Sequence, residues 1–445
     1  MMRCMRTAFR AATLPLAILL ASSPVAAQDL RSELAADMPA LMELYRDLHA
    51  HPELSFQEEK TAAKLASLMR EMGFDVTEGV GQTGVVAVME NGEGPVLMLR
   101  ADMDGLPVNE QTGLPFASLD RGIPESGVES GIMHACAHDT HMTAWIGAAQ
   151  LLSGNRENWQ GTLVMIAQPA EEIGQGARAM LEDGLYQRFP RPDYALAFHN
   201  AAQYPAGMIG YVPGYAMANV DSVDITVHGE GGHGAYPHMT KDPIVLGSAI
   251  VSRLQTLVSR ESNPGEPAVV TVGSFHAGTK HNVIPDDAKL QLTVRSYSDE
   301  SRKLLRDGIE RIARGEGVVA GLPQDMLPEV KFADHYTPAV YNSPEFTERA
   351  MGVLTTRFGA DRVKEVAPVM GGEDFARYRR ADPDNVQSLL FWVGGVPLED
   401  YEAAQAGEKN LPSLHSALWA PDAEKVIATA AESLAAISMN VLAPQ

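Results

Sequence analysis

Residues 133–141 read MHACAHDTH, placing three histidines, a cysteine and an aspartate in nine positions of a chain with only 13 histidines and 2 cysteines. Four further stretches carry similar donors: RADMD (100–104), QPAEE (168–172), AFHN (197–200) and PSLHS (412–416). Together they hold Cys136, His138, Glu171, Glu172, His199 and His415. Thiolate, imidazole and carboxylate form a donor set suited to Zn²⁺, Mn²⁺, Co²⁺ or Ni²⁺ rather than to Mg²⁺ or Ca²⁺. In CAH the donors sit at i and i+2, which an extended loop turns to one side, so both can reach one metal pair. The adjacent acids of EE point apart, so one can bind metal while the other faces an attacking water. Redox chemistry, a nucleophilic thiol and metal binding are all open on these residues alone.

Cysteine usage narrows the choice. The first residues have arginines at 3, 6 and 10, an apolar run, and small residues ending at Ala27. This is the layout of a cleaved signal peptide over 1–27, so export to a periplasm or the medium is expected. Cleavage would remove Cys4 and leave Cys136 alone, and a lone cysteine cannot form an intrachain disulfide. The net charge of −22 repels nucleic-acid phosphates and anionic lipid, so neither is an expected partner.

The elements that must position these donors alternate. TGVVAVME, GPVLMLRADMD, GTLVMIAQPAEE and DYALAFHN read as strands. Leu34 to Leu48, the segment PELSFQEEKTAAKLASLMREMGF, and DTHMTAWIGAAQLLSG read as helices. The fold class expected is α/β: a helix-covered mixed sheet, with donors gathered at the carboxyl ends of its strands. Near residue 215 the order becomes β-α-β-β-α-β, the signature of an inserted ferredoxin-like α/β-sandwich serving as lid or dimerisation domain. The expected division is therefore 28–214, an insert over 215–330, and a return to the first domain over 331–445.

The segments RADMDGLPVNEQTGLPF, GIMHACAHDTHMTAWIGAAQLL, QPAEEIGQGA, FHN, GEGGHGAYPH, HNVIPD, GGEDFARY and LHS, in this order, resemble those of the M20 metallopeptidase family. The similarity is to its amidohydrolase branch of N-acyl-amino-acid amidohydrolases, hippurate hydrolases and auxin-conjugate hydrolases. It implies two divalent metal ions, Zn or Mn first and Co or Ni as alternatives, held by Cys136, His138, Glu172, His199 and His415. Glu171 would be general base for a metal-activated water, a role worth roughly 10²- to 10⁴-fold. Asp104 would support the centre, and His233 would stabilise the oxyanion, from the same subunit or from a dimer partner. Asn282, Arg295 and His238 are the candidates for the substrate, Arg295 by pairing with a free carboxylate.

The implied reaction is amide hydrolysis of an N-acyl amino acid or small peptide. An exported carboxypeptidase or dipeptidase, and a non-catalytic metal or amino-acid binder, are the competing readings. A homodimer through the inserted domain is expected. His134 and His141 are read as satisfied structural histidines, and Asp139 as a helix N-cap. One departure stands out: the family has glycine between the cysteine and the histidine, where this chain has Ala137. At positive φ that alanine would cost ~1–2 kcal/mol.

Overall fold

The structure, a computed structural model, describes residues 25–444, so the expected signal segment lies almost wholly outside the described residues. An eight-stranded mixed sheet runs in the order Asp75–Val80, Gly84–Asn91, Gly161–Gln168, Val96–Asp102, Tyr194–Pro205, Gln387–Val396, Ile209–Tyr211 and Val363–Glu365. Its central strands are parallel neighbours. Their side chains alternate between two cores. Leu97, Leu99, Leu163 and Met165 enter one, while Met98, Val164 and Ile166 enter the other. A strand covered on both faces needs an apolar residue at nearly every position, which is why VLML and TLVMIA carry no polar face.

On the first face lie the helices Val25–Ala50, His138–Gly154, Pro344–Phe358 and Ala423–Val441. The helix His138–Gly154 is buried on nearly every side because it is wedged between the sheet and two of these helices. Wedging fixes its first residue, His138, in place. No helix of the described residues is long and apolar enough to cross a membrane.

A second, four-stranded antiparallel sheet has the order Val269–Ala277, Asp287–Ser296, Asn219–His228, Glu329–Phe332, the ferredoxin-like arrangement. Val223, Ile225, Val227, Leu290, Leu292 and Val294 all face two helices, Pro243–Thr256 and Asp299–Val319. Both helices start on a side-chain cap: Asp242 accepts from the amides of Ile244 and Val245, and Ser298 from that of Ser301. Among the described residues no helix covers the opposite face of this sheet. The two sheets are joined by a short ribbon in which Gly214–Met217 pairs with Val340–Asn342.

Three local expectations change. The helix expected from Pro52 begins only at Glu59. Before it the chain turns at Phe56, with φ 60°, and Leu54 bridges to Gly105 instead. The strand Asp75–Val80 was not anticipated, since its exposed edge carries little apolar pattern. Asp139 is not the N-cap: that position is Ala137, and the Asp139 carboxylate accepts from His49 and from the Thr140 amide inside the first turn.

Candidate metal centre

The donor stretches converge. Asp102 and Gln168 end adjacent parallel strands. His199 lies on the next strand, paired with Trp392. Cys136 and His138 sit where the loop enters its helix, and His415 is tied to that loop by its amide donating to the Ala135 carbonyl. The Cys136 Sγ lies 3.5 Å from His199 Nε2. The His138 Nε2 is 3.8 Å from Glu172 Oε1 and 3.9 Å from Glu171 Oε2, and the His415 Nε2 is 3.4 Å from Glu172 Oε2. Five groups of closely spaced donors result among the described residues: Cys136 with His138 and His199, Cys136 with Glu172 and His415, His138 with Glu171 and Glu172, Asp102 with His138 and His141, and Glu171 with Glu373 and Asp374.

The tautomers are set by the backbone. His138 Nδ1 donates to the Asp104 carbonyl at 2.8 Å and His199 Nδ1 to the Asn200 carbonyl at 2.7 Å, turning each Nε2 toward the shared space. His138 Nε2 and Glu172 Oε1 are buried without a hydrogen-bond partner among the described residues. Buried polar atoms are seldom left so. Orphaned donors aimed at one point, in this chemical mixture, fit divalent cations.

Electrostatics points the same way. Burial pushes the Glu171 carboxyl well up, and repulsion from Glu373 and Glu172 adds to it. Burial takes Glu172 up to about 8, against the pull of His138. The Cys136 thiol is pushed well up by burial and then by Glu172 and Glu171. Burial pushes His138 down, but Asp102 and Asp104 outweigh it and carry the imidazole to about 10. A centre crowded with acids holds its protons tightly until cations replace them.

A second layer fixes the donors. The Asp104 carboxylate accepts the amides of Glu171 and Glu172, both at 3.0 Å, and the Ser55 hydroxyl at 2.6 Å. Asp104 therefore shapes the double-glutamate loop. His141 donates Nδ1–H to Asp102 at 2.6 Å while its Nε2 accepts from the Asn200 amide, so it is neutral, and burial lowers it to about 4. Behind these lies Arg100, fully buried. Its guanidinium reaches Asp102 at 2.7 Å, Glu373 at 2.8 Å and Gln168 at 3.0 Å, with Asp374 at 3.4 Å. The sequence reading missed Arg100, although a charge inside VLMLRAD was the available signal. Glu373 and Asp374, in GGEDFARY, are the buried counter-charges of Arg100. His141 is a structural histidine as expected. His134 is buried, yet neither ring nitrogen finds a partner.

Ala137 has φ 65°, and two other non-glycine residues here share the left-handed region, Ala170 at 48° and His415 at 66°. Backbone strain of this kind is concentrated where donors must be aimed.

A cavity of about 330 Å³ opens onto Cys136, Glu171, Glu172, His199 and His415. Its far wall comes from the second sheet and the chain leaving it: Ser222, Arg295, His335 and Tyr336 among others. Arg295 donates to Thr293 Oγ1 at 3.0 Å, and no carboxylate pairs with it among the described residues. His233, His238 and Asn282 do not line this cavity. They are exposed, in and around the small hairpin Gly232–His233 with Val283–Ile284. His335, Tyr336 and Ser222 had no motif to mark them.

Residues 98–409 match the profile of peptidase family M20/M25/M40. The N-acetylcysteine deacetylase of Bacillus subtilis (strain 168) is 39% identical over 365 residues, covering 81% of this chain and 90% of that one. Thermostable carboxypeptidase 1 of Saccharolobus solfataricus is 37% identical over 347 residues, 77% and 84% of the two chains. Among solved structures, the Bacillus subtilis YXEP protein, a dinuclear metal-binding peptidase of the M20 family, superposes with a TM-score of 0.74. It is 33% identical, and the match covers 92% of this chain and 99% of that one. With the profile spanning most of the chain and the fold shared throughout, the chain belongs to peptidase family M20/M25/M40 and is a hydrolase of amide bonds.

Proposed function

We propose that the chain hydrolyses the amide bond of N-acyl amino acids, or of small peptides, with two divalent metal ions at the centre and Glu171 as general base. The observation that carries the reading is Glu171 itself. Its Oε2 shares the space of His138 Nε2, while Glu172 turns to His415. A protein that only binds metal needs no acid beside its binding glutamate.

Cys136, His138, Glu172, His199 and His415 would hold the cations. When bound, the cations supply Lewis acidity and a water nucleophile competent at neutral pH. Sulfur and imidazole among the donors favour Zn, the carboxylates suit Mn, and Co or Ni are the alternatives. Glu171 takes a proton from the attacking water and passes it to the amine nitrogen as the C–N bond breaks. Arg295 offers the substrate's free carboxylate a guanidinium that no acid among the described residues neutralises. His233 would reach the oxyanion only with a movement of the second sheet, or from a partner subunit. Apolar residues exposed on the inserted unit, Met239, Val245 and Val283, support a homodimer there. Export rests on the sequence of residues 1–27, and the mass of the mature chain tests it.

The test is amide hydrolysis measured with and without chelator on N-acetyl, N-benzoyl and long-chain acyl amino acids and dipeptides, with Zn²⁺, Mn²⁺ and Co²⁺ in parallel. Glu171→Gln should lose at least 10²-fold in kcat while still binding metal. Wild-type turnover by that variant, or full activity after metal removal, would overturn the mechanism. A preference for dipeptides over N-acyl amino acids would favour the carboxypeptidase reading instead.

A further inference from the structure

A second cavity, of about 500 Å³, lies where the ribbon meets both sheets, and none of its lining residues borders the metal centre. Its walls come from three parts of the chain. Tyr215, Asn219 and Tyr341 belong to the ribbon and its continuation, Tyr297 and Asp299 to the inserted unit, and Arg379 and Arg380 to the first domain. Cavities of this size at the junction of structural units are where small ligands are commonly held.

The lining is aromatic and cationic. Tyr215 stacks near Tyr297, with ring centroids 6.2 Å apart at 28°, and meets Tyr341 edge-on at 5.1 Å. The Arg379 guanidinium lies 4.7 Å from the centre of the Tyr341 ring. Arg380 is neutralised by Asp299 at 2.9 Å. Arg379 has no such acid among the described residues. It donates only to the Pro383 carbonyl at 3.3 Å, and its buried Nε has no partner. Asn219 is spent on the backbone of residues 297, 298 and 339. The three tyrosine hydroxyls make no hydrogen bond to protein among the described residues.

The unspent recognition capacity is thus one planar cation beside three aromatic faces and three hydroxyls. A single net positive charge selects a monoanion over a phosphate, and ring walls reward a flat, apolar body. We propose that this cavity is a second binding site, for a small planar aromatic carboxylate. Its occupant would touch both structural units and the ribbon between them at once.

Calorimetric titration of the metal-loaded protein with 4-hydroxybenzoate tests this, with cyclohexanecarboxylate as a control of equal charge and no flat ring. We expect saturable binding, at least tenfold weaker for the control. Arg379→Met and Tyr297→Leu should each weaken it at least tenfold with melting temperatures close to the parent's, and Arg295→Met should leave it within twofold. If one of the first two variants fails to fold, the other decides. No saturable binding at millimolar concentration would overturn the proposal. So would equal binding of the control, or binding that Arg295→Met removes and Arg379→Met leaves, since the ligand would then sit at the metal centre.

Discussion

Arg100 is the residue on which the acids behind the metal centre depend. Removing it leaves Asp102, Glu373 and Asp374 buried without their cation, a situation that costs about 3–5 kcal/mol. Arg100→Met should therefore lower the unfolding free energy by that amount, read from urea melts. Ala137 argues in the opposite direction. Its left-handed backbone costs ~1–2 kcal/mol, while glycine would give back part of that through a freer unfolded chain, ~0.4–1 kcal/mol. Ala137→Gly should raise stability by about 0.5–1 kcal/mol net. Metal uptake has its own signature. Without cations His138 titrates at about 10 and Glu172 at about 8, so both are protonated at pH 7. Binding must expel those protons, and apparent affinity should rise with pH up to about 8 and beyond. Proton release on titrating Zn²⁺ into weakly buffered protein measures it, and a pH-independent affinity would contradict it. The donors were legible in sequence because their types are rare and clustered. Arg100 was passed over because one cation in an apolar strand acquires its full meaning only with Glu373 and Asp374, more than 270 positions away.

At the scale of elements, the segment 169–176 between a strand and a short helix carries both glutamates. A Cβ at Gly176 would sit 1.5 Å from the Pro169 carbonyl oxygen, a backbone atom that cannot step aside. Gly176→Ala should thus displace the loop, cutting metal affinity and turnover together while far-ultraviolet circular dichroism is kept. The strands of the large sheet were readable because both faces are covered and every position is apolar. The edge strand Asp75–Val80 was not, since its burial is mostly partial or absent. The helix start at Glu59 was misplaced because the preceding turn depends on a tertiary bridge to Gly105. Local pattern cannot encode such a partner.

Over the whole molecule, the β-α-β-β-α-β order of the insert was plain in sequence, since its strands and helices are amphipathic and face one core. How the insert sits against the centre was not, and so His335 and Tyr336 went unseen. One buried cluster spans the assembled first domain. His49, at the end of the first helix, bonds Asp139 at 2.6 Å and Glu110 at 3.0 Å. Burial pushes its imidazole down, but these two acids outweigh it and raise it to about 10 from 6.5. A raised folded-state value means the contribution is complete below pH ~6.5 and fades as pH climbs through 10. His49→Gln should therefore cost most stability near pH 6, with the gap to wild type closing toward pH 10 in thermal melts. An unchanging gap would refute the assignment.

The ribbon of Gly214–Met217 and Val340–Asn342 has one more consequence. The chain enters and leaves the insert at neighbouring points, so any rotation of the insert about that ribbon would pivot there. Arg295, opposite Val220, would lie close to the fulcrum of that rotation. The hairpin bearing His233 lies past the far end of the strand Asn219–His228, roughly 25 Å out at about 3.3 Å per residue. A swing of roughly 20° would carry that tip about 9 Å over the same arm. In such a rotation the contact proposed for Arg295 would be kept, and only the outlying histidines would change their reach.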